Sequence, residues 1–228
     1  MNHIQKTHGH NHKHDDNRYD GQPHTHQAPF WVRYYDTIVG VVTLGRTRKV
    51  HQSTIQLARL QSGEAILDIG CGTGKLIFAA EKVVGSAGTA VGLDVEPGMI
   101  EQAKANAAKA HSHATFGVAS ITEIPYPDNS FDVVTSSLVY HHLNQEQKVA
   151  GLQEVARVLK PNGRFLIVDL NPTRRGLAVR LPGHSRLAQE DYVSREVVAQ
   201  LAAADFANIT AGAHPFNQLS YALGVINA

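Results

Sequence analysis

The ten residues Ala65–Gly74, AILDIGCGTG, limit the fold more than any other stretch of this chain. Ala65, Ile66, Leu67 and Ile69 read as a short buried strand, because the run is brief and apolar and ends in a glycine cluster. Gly70, Gly72 and Gly74 allow a tight turn in which no Cβ keeps a ligand from the backbone. From Thr73 onward the residues TGKLIFAAEKVV read as a helix, with Leu76, Ile77, Ala80, Val83 and Val84 at helical spacing. Strand, glycine turn and helix N-terminus are expected to present free N–H groups to a polar or anionic ligand at the carboxyl end of the strand.

Two nucleotide signatures fail here. A dinucleotide fingerprint needs G-x-G-x-x-G, and the sixth position counted from Gly70 is Lys75. A P-loop needs Gly-Lys-Ser/Thr, and Gly74-Lys75 is followed by Leu76. What stands is D-x-G-x-G-x-G from Asp68 to Gly74, with an acceptor carboxylate just ahead of the glycines. Such a carboxylate suits a ligand bearing an ammonium group. The segment resembles the first motif of the class I S-adenosylmethionine-dependent methyltransferases. The resemblance implies that Asp68, Gly70, Cys71, Gly72, Thr73 and Gly74 border bound S-adenosylmethionine. Read on its own chemistry, Cys71 is a small packing residue rather than a nucleophile.

Composition narrows the class. The 228 residues are 43% hydrophobic, enough for a sizeable core. A net charge of +1 argues against a nucleic-acid module that works through phosphate contacts. No apolar run approaches the roughly 18 residues of a membrane span. The N-terminus lacks the apolar core of a signal peptide. One cysteine excludes an intrachain disulfide, so a reducing cytoplasm is the expected setting.

Residues 1–29 differ from the rest. They hold seven of the 14 histidines and few large apolar residues, and are expected to be a disordered tail. His8, His10, His12 and His14 alternate ahead of two carboxylates, a pattern able to bind a divalent metal loosely. No tetrahedral spacing is present, so a structural zinc site is not expected. From Phe30 the chain reads as one domain, 30–228, opened by a helical segment over 30–62 with an interruption at Gly45. Ile55, Leu57, Ala58 and Leu60 are expected to face the core. Tyr34 and Tyr35 lie in an aromatic cluster that either anchors the helix or borders a ligand; the resemblance implies a lid and makes both tyrosines acceptor contacts.

Downstream, strands are expected at Gly88–Asp94, Thr115–Ala119, Phe131–Leu138 and Gly163–Leu170, with helices at Pro97–Ala110, Gln145–Leu159 and Ser194–Ala204. Two closing strands are expected at Asn208–His214 and Gln218–Ile226. Asp94 lies twenty positions after Gly74, where an acid can accept from the ribose hydroxyls of an adenosine ligand. Met99, near the start of the next helix, could touch the adenine.

The segments VGLDVEPGMI, IPYPDNSFDVV and LKPNGRFLIVD extend the resemblance over residues 30–226. Within the methyltransferases the chain is similar to the ubiquinone and menaquinone C-methyltransferase group. The fold this implies is α/β, Rossmann-like and doubly wound. Its seven-stranded sheet would be mostly parallel, with a C-terminal antiparallel pair. The resemblance also places Val95, Ser120, Ile121 and Ser137 at the cofactor and Tyr140 at the acceptor. Three positions depart from the family. Ser120 stands where an acid usually accepts from the adenine amino group, and a hydroxyl accepts more weakly. His141 and His142 stand where the quinone enzymes carry an Arg-Asn pair. Either histidine could take a proton from an acceptor. Adjacent residues leaving a strand point different ways, so one is expected to face the acceptor and the other to pack or cap the next helix. His141 is the preferred base.

The expected activity is in-line methyl transfer to a small-molecule acceptor, a quinone being one alternative. Two other classes remain open: a nicotinamide-dependent oxidoreductase, and a metal-binding or sensing protein that works through the tail.

Overall fold

The computed structural model describes residues 45–170, 193–216 and 218–227. In chain order these form α1 (Thr47–Leu57), β1 (Ala65–Ile69), α2 (Lys75–Val84), β2 (Thr89–Asp94), α3 (Pro97–Ala110), β3 (Thr115–Val118) and β4 (Phe131–Ser137). They continue with α4 (Gln145–Val158), β5 (Leu159–Leu170), α5 (Val198–Ala203), β6 (Phe206–Ala213) and β7 (Leu219–Ile226). One sheet runs β3-β2-β1-β4-β5-β7-β6. β1 to β5 pair in parallel, and β7 lies antiparallel between β5 and β6. The expected doubly wound sheet with a closing antiparallel pair is therefore the fold observed.

Both faces of the sheet are covered, which is why its central strands read as continuous apolar runs. α1, α2 and α3 pack on one face against Ile66, Val133, Leu166 and Val168. α4 and α5 pack on the other against Leu67, Val134, Phe165 and Ile167. Strand order reverses between β1 and β4, and the carboxyl ends of these two strands open the crevice where ligands bind in such sheets.

Local signals set most boundaries. Pro97 opens α3, and the Glu96 side chain caps it by accepting from the Gly98 N–H. Asn144 and Gln147 form a reciprocal capping box at the start of α4. β5 begins at Leu159, earlier than expected. Leu159 pairs with Phe131, and the register shift beside it absorbs Pro161-Asn162-Gly163, with Asn162 at φ +64°. Pro-Asn-Gly after a helix ordinarily marks its stop, and here it is an irregularity inside a strand. β6 likewise starts at Phe206 rather than Asn208, with a register shift between Ala207 and Thr210.

α1 is fastened at two points, and these fix what it presents to the crevice. The Arg164 guanidinium on β5 donates to the Ala58 and Arg59 carbonyls and to both oxygens of Glu64. On the neighbouring side, Thr54 Oγ1 lies 3.4 Å from His214 Nε2, and both residues are buried. His214 Nδ1 accepts from the Phe216 N–H at 3.0 Å, so the ring proton sits on Nε2, facing Thr54.

Burial pushes the His214 imidazole down to about 4 from an ordinary 6.5. The unfolded chain therefore takes up the proton first as pH falls. Stability contributed above about pH 6.5 should be lost as pH drops toward 4. Thermal melts from pH 7 to 4 should show this loss, and His214→Gln should flatten it.

Candidate active site

The glycine turn after β1 is built by its own hydrogen bonds. Gly70, Gly72 and Gly74 have φ of +72°, +52° and +83°, a region L side chains avoid. The N–H groups of Gly70 and Cys71 both donate to the Leu93 carbonyl at the end of β2. The Gly72 N–H donates to Asp94 Oδ2 at 2.8 Å, and the Gly74 N–H to the Cys71 carbonyl. These four donors serve the fold, which corrects the expectation that the turn simply offers its N–H groups to a ligand. What the turn offers instead is close backbone approach.

Asp94 is thereby part of the architecture. Its Oδ1 also accepts from the Glu96 N–H at 3.0 Å. Burial raises its carboxyl pKa despite these donors. The Val95 N–H is a third backbone donor to it, and a carboxylate's roughly four acceptor positions leave capacity beyond these bonds.

Asp68 lies beneath the turn, 2% exposed. Thr135 Oγ1 on β4 donates to Asp68 Oδ1 at 2.7 Å. Burial first, and then the charge of Asp94, push the Asp68 carboxyl up to about 7. A buried carboxyl with this balance ionises readily when a cation arrives. A cavity of about 60 Å³ is lined by Asp68, Gly70, Thr73 and Ser137, and by Thr47 and His51 from α1. A larger groove, about 890 Å³, lies between α1 and α2 and touches neither Asp68 nor Asp94. Cys71 is buried, and burial with two neighbouring carboxylates raises its thiol pKa, so it packs as a neutral thiol.

The exit of β4 carries a second constellation. Leu138 takes φ +62°, and Tyr140–His142 form a single 3₁₀ turn. His141 Nδ1 meets Asp169 Oδ1 at 2.6 Å, and the His141 N–H donates to Asp169 Oδ2 at 2.9 Å. Asp169, at the carboxyl end of β5, is fully buried. A carboxylate on Nδ1 fixes the proton there and leaves Nε2 as the basic nitrogen of the ring. The His142 ring lies against His141 with centroids 3.9 Å apart and the planes tilted by 41°. The cap of α4 is Asn144, so His142 does not take the capping role expected of one histidine. Asp169 was not singled out from sequence; an acid closing a buried strand, IVD, was the available signal.

Other expected site residues scatter. Val95 is 60% exposed at the end of β2. Ser120 Oγ is engaged with Thr122, through its hydroxyl and its N–H. Met99 and Ile121 are core residues, and Ile121 packs against Gly151 of α4. Tyr140, expected at the acceptor, is fully buried instead; its hydroxyl bonds Gln200 Oε1 at 3.0 Å. The bulk of its ring explains this, since it fills the space between the sheet and α5. Tyr34, Tyr35 and the histidines at 8, 10, 12 and 14 lie outside the described residues. Among the described residues no cluster of three His, Cys, Asp or Glu side chains could hold a metal, and no helix is long and apolar enough to cross a membrane.

Residues 60–214 match a family model described as a methyltransferase domain. The demethylmenaquinone methyltransferase of Symbiobacterium thermophilum is 31% identical over 137 residues, 59% of this chain and 54% of that protein. The ubiquinone/menaquinone biosynthesis C-methyltransferase of Hydrogenovibrio crunogenus is 27% identical over 177 residues, 73% of this chain and 69% of that protein. The chain thus spans from about half to about two thirds of the curated relatives it matches. Among solved structures, a SAM-dependent methyltransferase from Aquifex aeolicus superposes with TM-score 0.64 at 23% identity, covering 77% of this chain and 89% of that one. The [4+2]-cyclase SpnF superposes with TM-score 0.61 at 18% identity, over 79% and 80%. A likeness at these identities is one of fold, and the cyclase illustrates that this fold hosts more than one chemistry.

The turn has little room to change. A Cβ on Gly74 would sit 2.7 Å from the Phe116 ring at a φ of +83°. Gly74→Ala should destabilise the protein by about 1–3 kcal/mol in denaturant unfolding.

Proposed function

Because this chain belongs to the methyltransferase-domain family, we propose that it is an S-adenosylmethionine-dependent methyltransferase whose small-molecule acceptor must lose a proton. The observation that carries the second half is the buried Asp169 bonded to His141 at the exit of β4. A family match alone asks for no base, whereas a carboxylate-oriented imidazole is the usual form of one.

The residues fit the cofactor. Asp68 is a buried carboxyl with a hydroxyl as its side-chain partner and no cation beside it among the described residues, which suits the ammonium of a methionine moiety. Asp94 has acceptor capacity left for ribose hydroxyls. Val95 offers an exposed apolar surface to adenine, and Gly70–Gly74 and Ser137 border the same crevice. Met99, Ser120 and Ile121 act behind this layer as its support. When bound, the cofactor supplies a methyl group already activated on a sulfonium. His141 Nε2 receives the acceptor's proton, and Asp169 stabilises the imidazolium that forms. α1 and the glycine turn exclude water and fix the approach.

The curated relatives' names make a reduced quinone the specific acceptor to test first. Its hydroxyls are acidic enough for a histidine base to assist. We further propose one domain over 30–228 behind a His-rich tail, with Tyr34 and Tyr35 at the acceptor, working in a reducing cytoplasm. Loose metal binding by the tail is compatible with this reading and not required by it.

Calorimetry should show binding of S-adenosylmethionine and its demethylated product, and none of NAD. Asp94→Ala should weaken that binding by about 1.5–3 kcal/mol. In a labelled-methyl assay with reduced quinones and phenols, His141→Ala should lower turnover by roughly 10²–10⁴ while cofactor affinity is kept. An unchanged rate would remove the base. Deleting residues 1–28 should leave cofactor affinity intact.

A further inference from the structure

Two serine hydroxyls are buried with no hydrogen-bond partner, and they lie on the strands either side of Asp169. Ser136 of β4 is 0% exposed and Ser220 of β7 is 2% exposed. Among the described residues no other buried side-chain nitrogen or oxygen is left unpartnered. Ser220 is the register partner of Asp169 across the β5–β7 pair. Ser136 is the partner of Ile167, two residues before Asp169 on the same face of β5. Phe165 and Ile167 of β5, Val134 of β4 and Ala222 of β7 belong to the core on the α4 side. Alternation along the strands puts Asp169, Ser136 and Ser220 on that face too.

Acceptor counting on Asp169 gives the hydroxyls a purpose. An ionised carboxylate has about four acceptor positions. Oδ1 takes the His141 ring N–H and the Leu170 N–H, and Oδ2 takes the His141 backbone N–H. One position on Oδ2 remains, and two buried donors lie on the flanking strands. Opposed residues on antiparallel strands have Cβ atoms about 5 Å apart, so one water can span from the Ser220 hydroxyl to that position. Ser136, on the diagonal across β4 and β5, can bond the same water. A buried water needs two to four polar partners, and Ser136, Ser220 and Asp169 provide three.

We infer that Ser136 and Ser220 are positioning residues for the His141–Asp169 pair, holding ordered water against Asp169 and setting how tightly the pair keeps its proton. This rests on the reading of His141 as the base. Donors to the carboxylate favour the deprotonated pair, so their removal should make the pair hold its proton to higher pH. Among the described residues, the other titratable or charged groups near the pair are His142, whose ring lies against that of His141, Tyr140, one residue before, and Lys148 with Glu196 beyond Tyr140. The serine variants leave all of these in place.

The test is the titration of the His141 imidazole in the full chain by ¹H–¹⁵N NMR, assigned with His141→Gln and run without cofactor or acceptor. Ser220→Ala should move the midpoint up by about one pH unit, Ser136→Ala by less, and Ser220→Thr should restore it. If the hydroxyls are only buried penalties, both alanine variants will melt at higher temperature with the His141 midpoint unchanged, and the inference fails. Because no methyl transfer is measured, that failure is separate from a failure of the methyltransferase reading.

Discussion

The crevice depends on the Asp94 carboxylate. One oxygen holds the Gly72 N–H and the other the Glu96 N–H, so a single side chain joins the glycine turn, the end of β2 and the start of α3. The Leu93 carbonyl just before it takes two more N–H groups from the same turn. A charged acceptor gives shorter and stronger bonds than a neutral one, and here it holds Gly72, whose φ of +52° costs little only for glycine. Burial opposes the charge and raises the Asp94 pKa. The turn is thus held by a carboxylate that a further donor or cation would stabilise.

The sheet sorts the chemistry by face. Asp68 and Thr135 lie on the side covered by α1 and α2, where Arg164 and His214 fasten α1. Asp169 lies on the side covered by α4 and α5, and reaches His141 where the chain leaves β4. The strand reversal between β1 and β4 brings the two carboxyl ends together. Asp68 with Thr135 and Asp169 with His141 therefore lie on opposite faces of the sheet, at the carboxyl ends of their strands.

Much of this was legible in the chain. AILDIGCGTG specified strand, turn and helix because apolar run, glycines and helical spacing agree there. PGMIEQAKANAAKA specified α3 from Pro97 to Ala110, since proline opens it and its composition sustains it. The misreadings have physical causes. Pro161-Asn162-Gly163 looked like a stop but is absorbed by a register shift, because Leu159 ahead of it gains a buried partner in Phe131. The resemblance implied Tyr140 at the acceptor, and its ring is buried in the core. The Asp169–His141 contact joins residues 28 positions apart on neighbouring elements, and no local pattern encodes it. Thr135 and Ser220 were invisible for the same reason: their meaning comes from the residue across the strand.

The central claim is that the two carboxylates around the glycine turn receive a cationic adenosyl cofactor. Asp68, held up near 7, must release its proton when a cation binds beside it. Titrating S-adenosylmethionine at pH 7 in buffers of different ionisation enthalpy counts that proton directly. The account predicts release of a substantial fraction of one proton on binding, abolished in Asp68→Asn. Binding with no proton release in the wild-type protein, or no binding of S-adenosylmethionine at all, would contradict it.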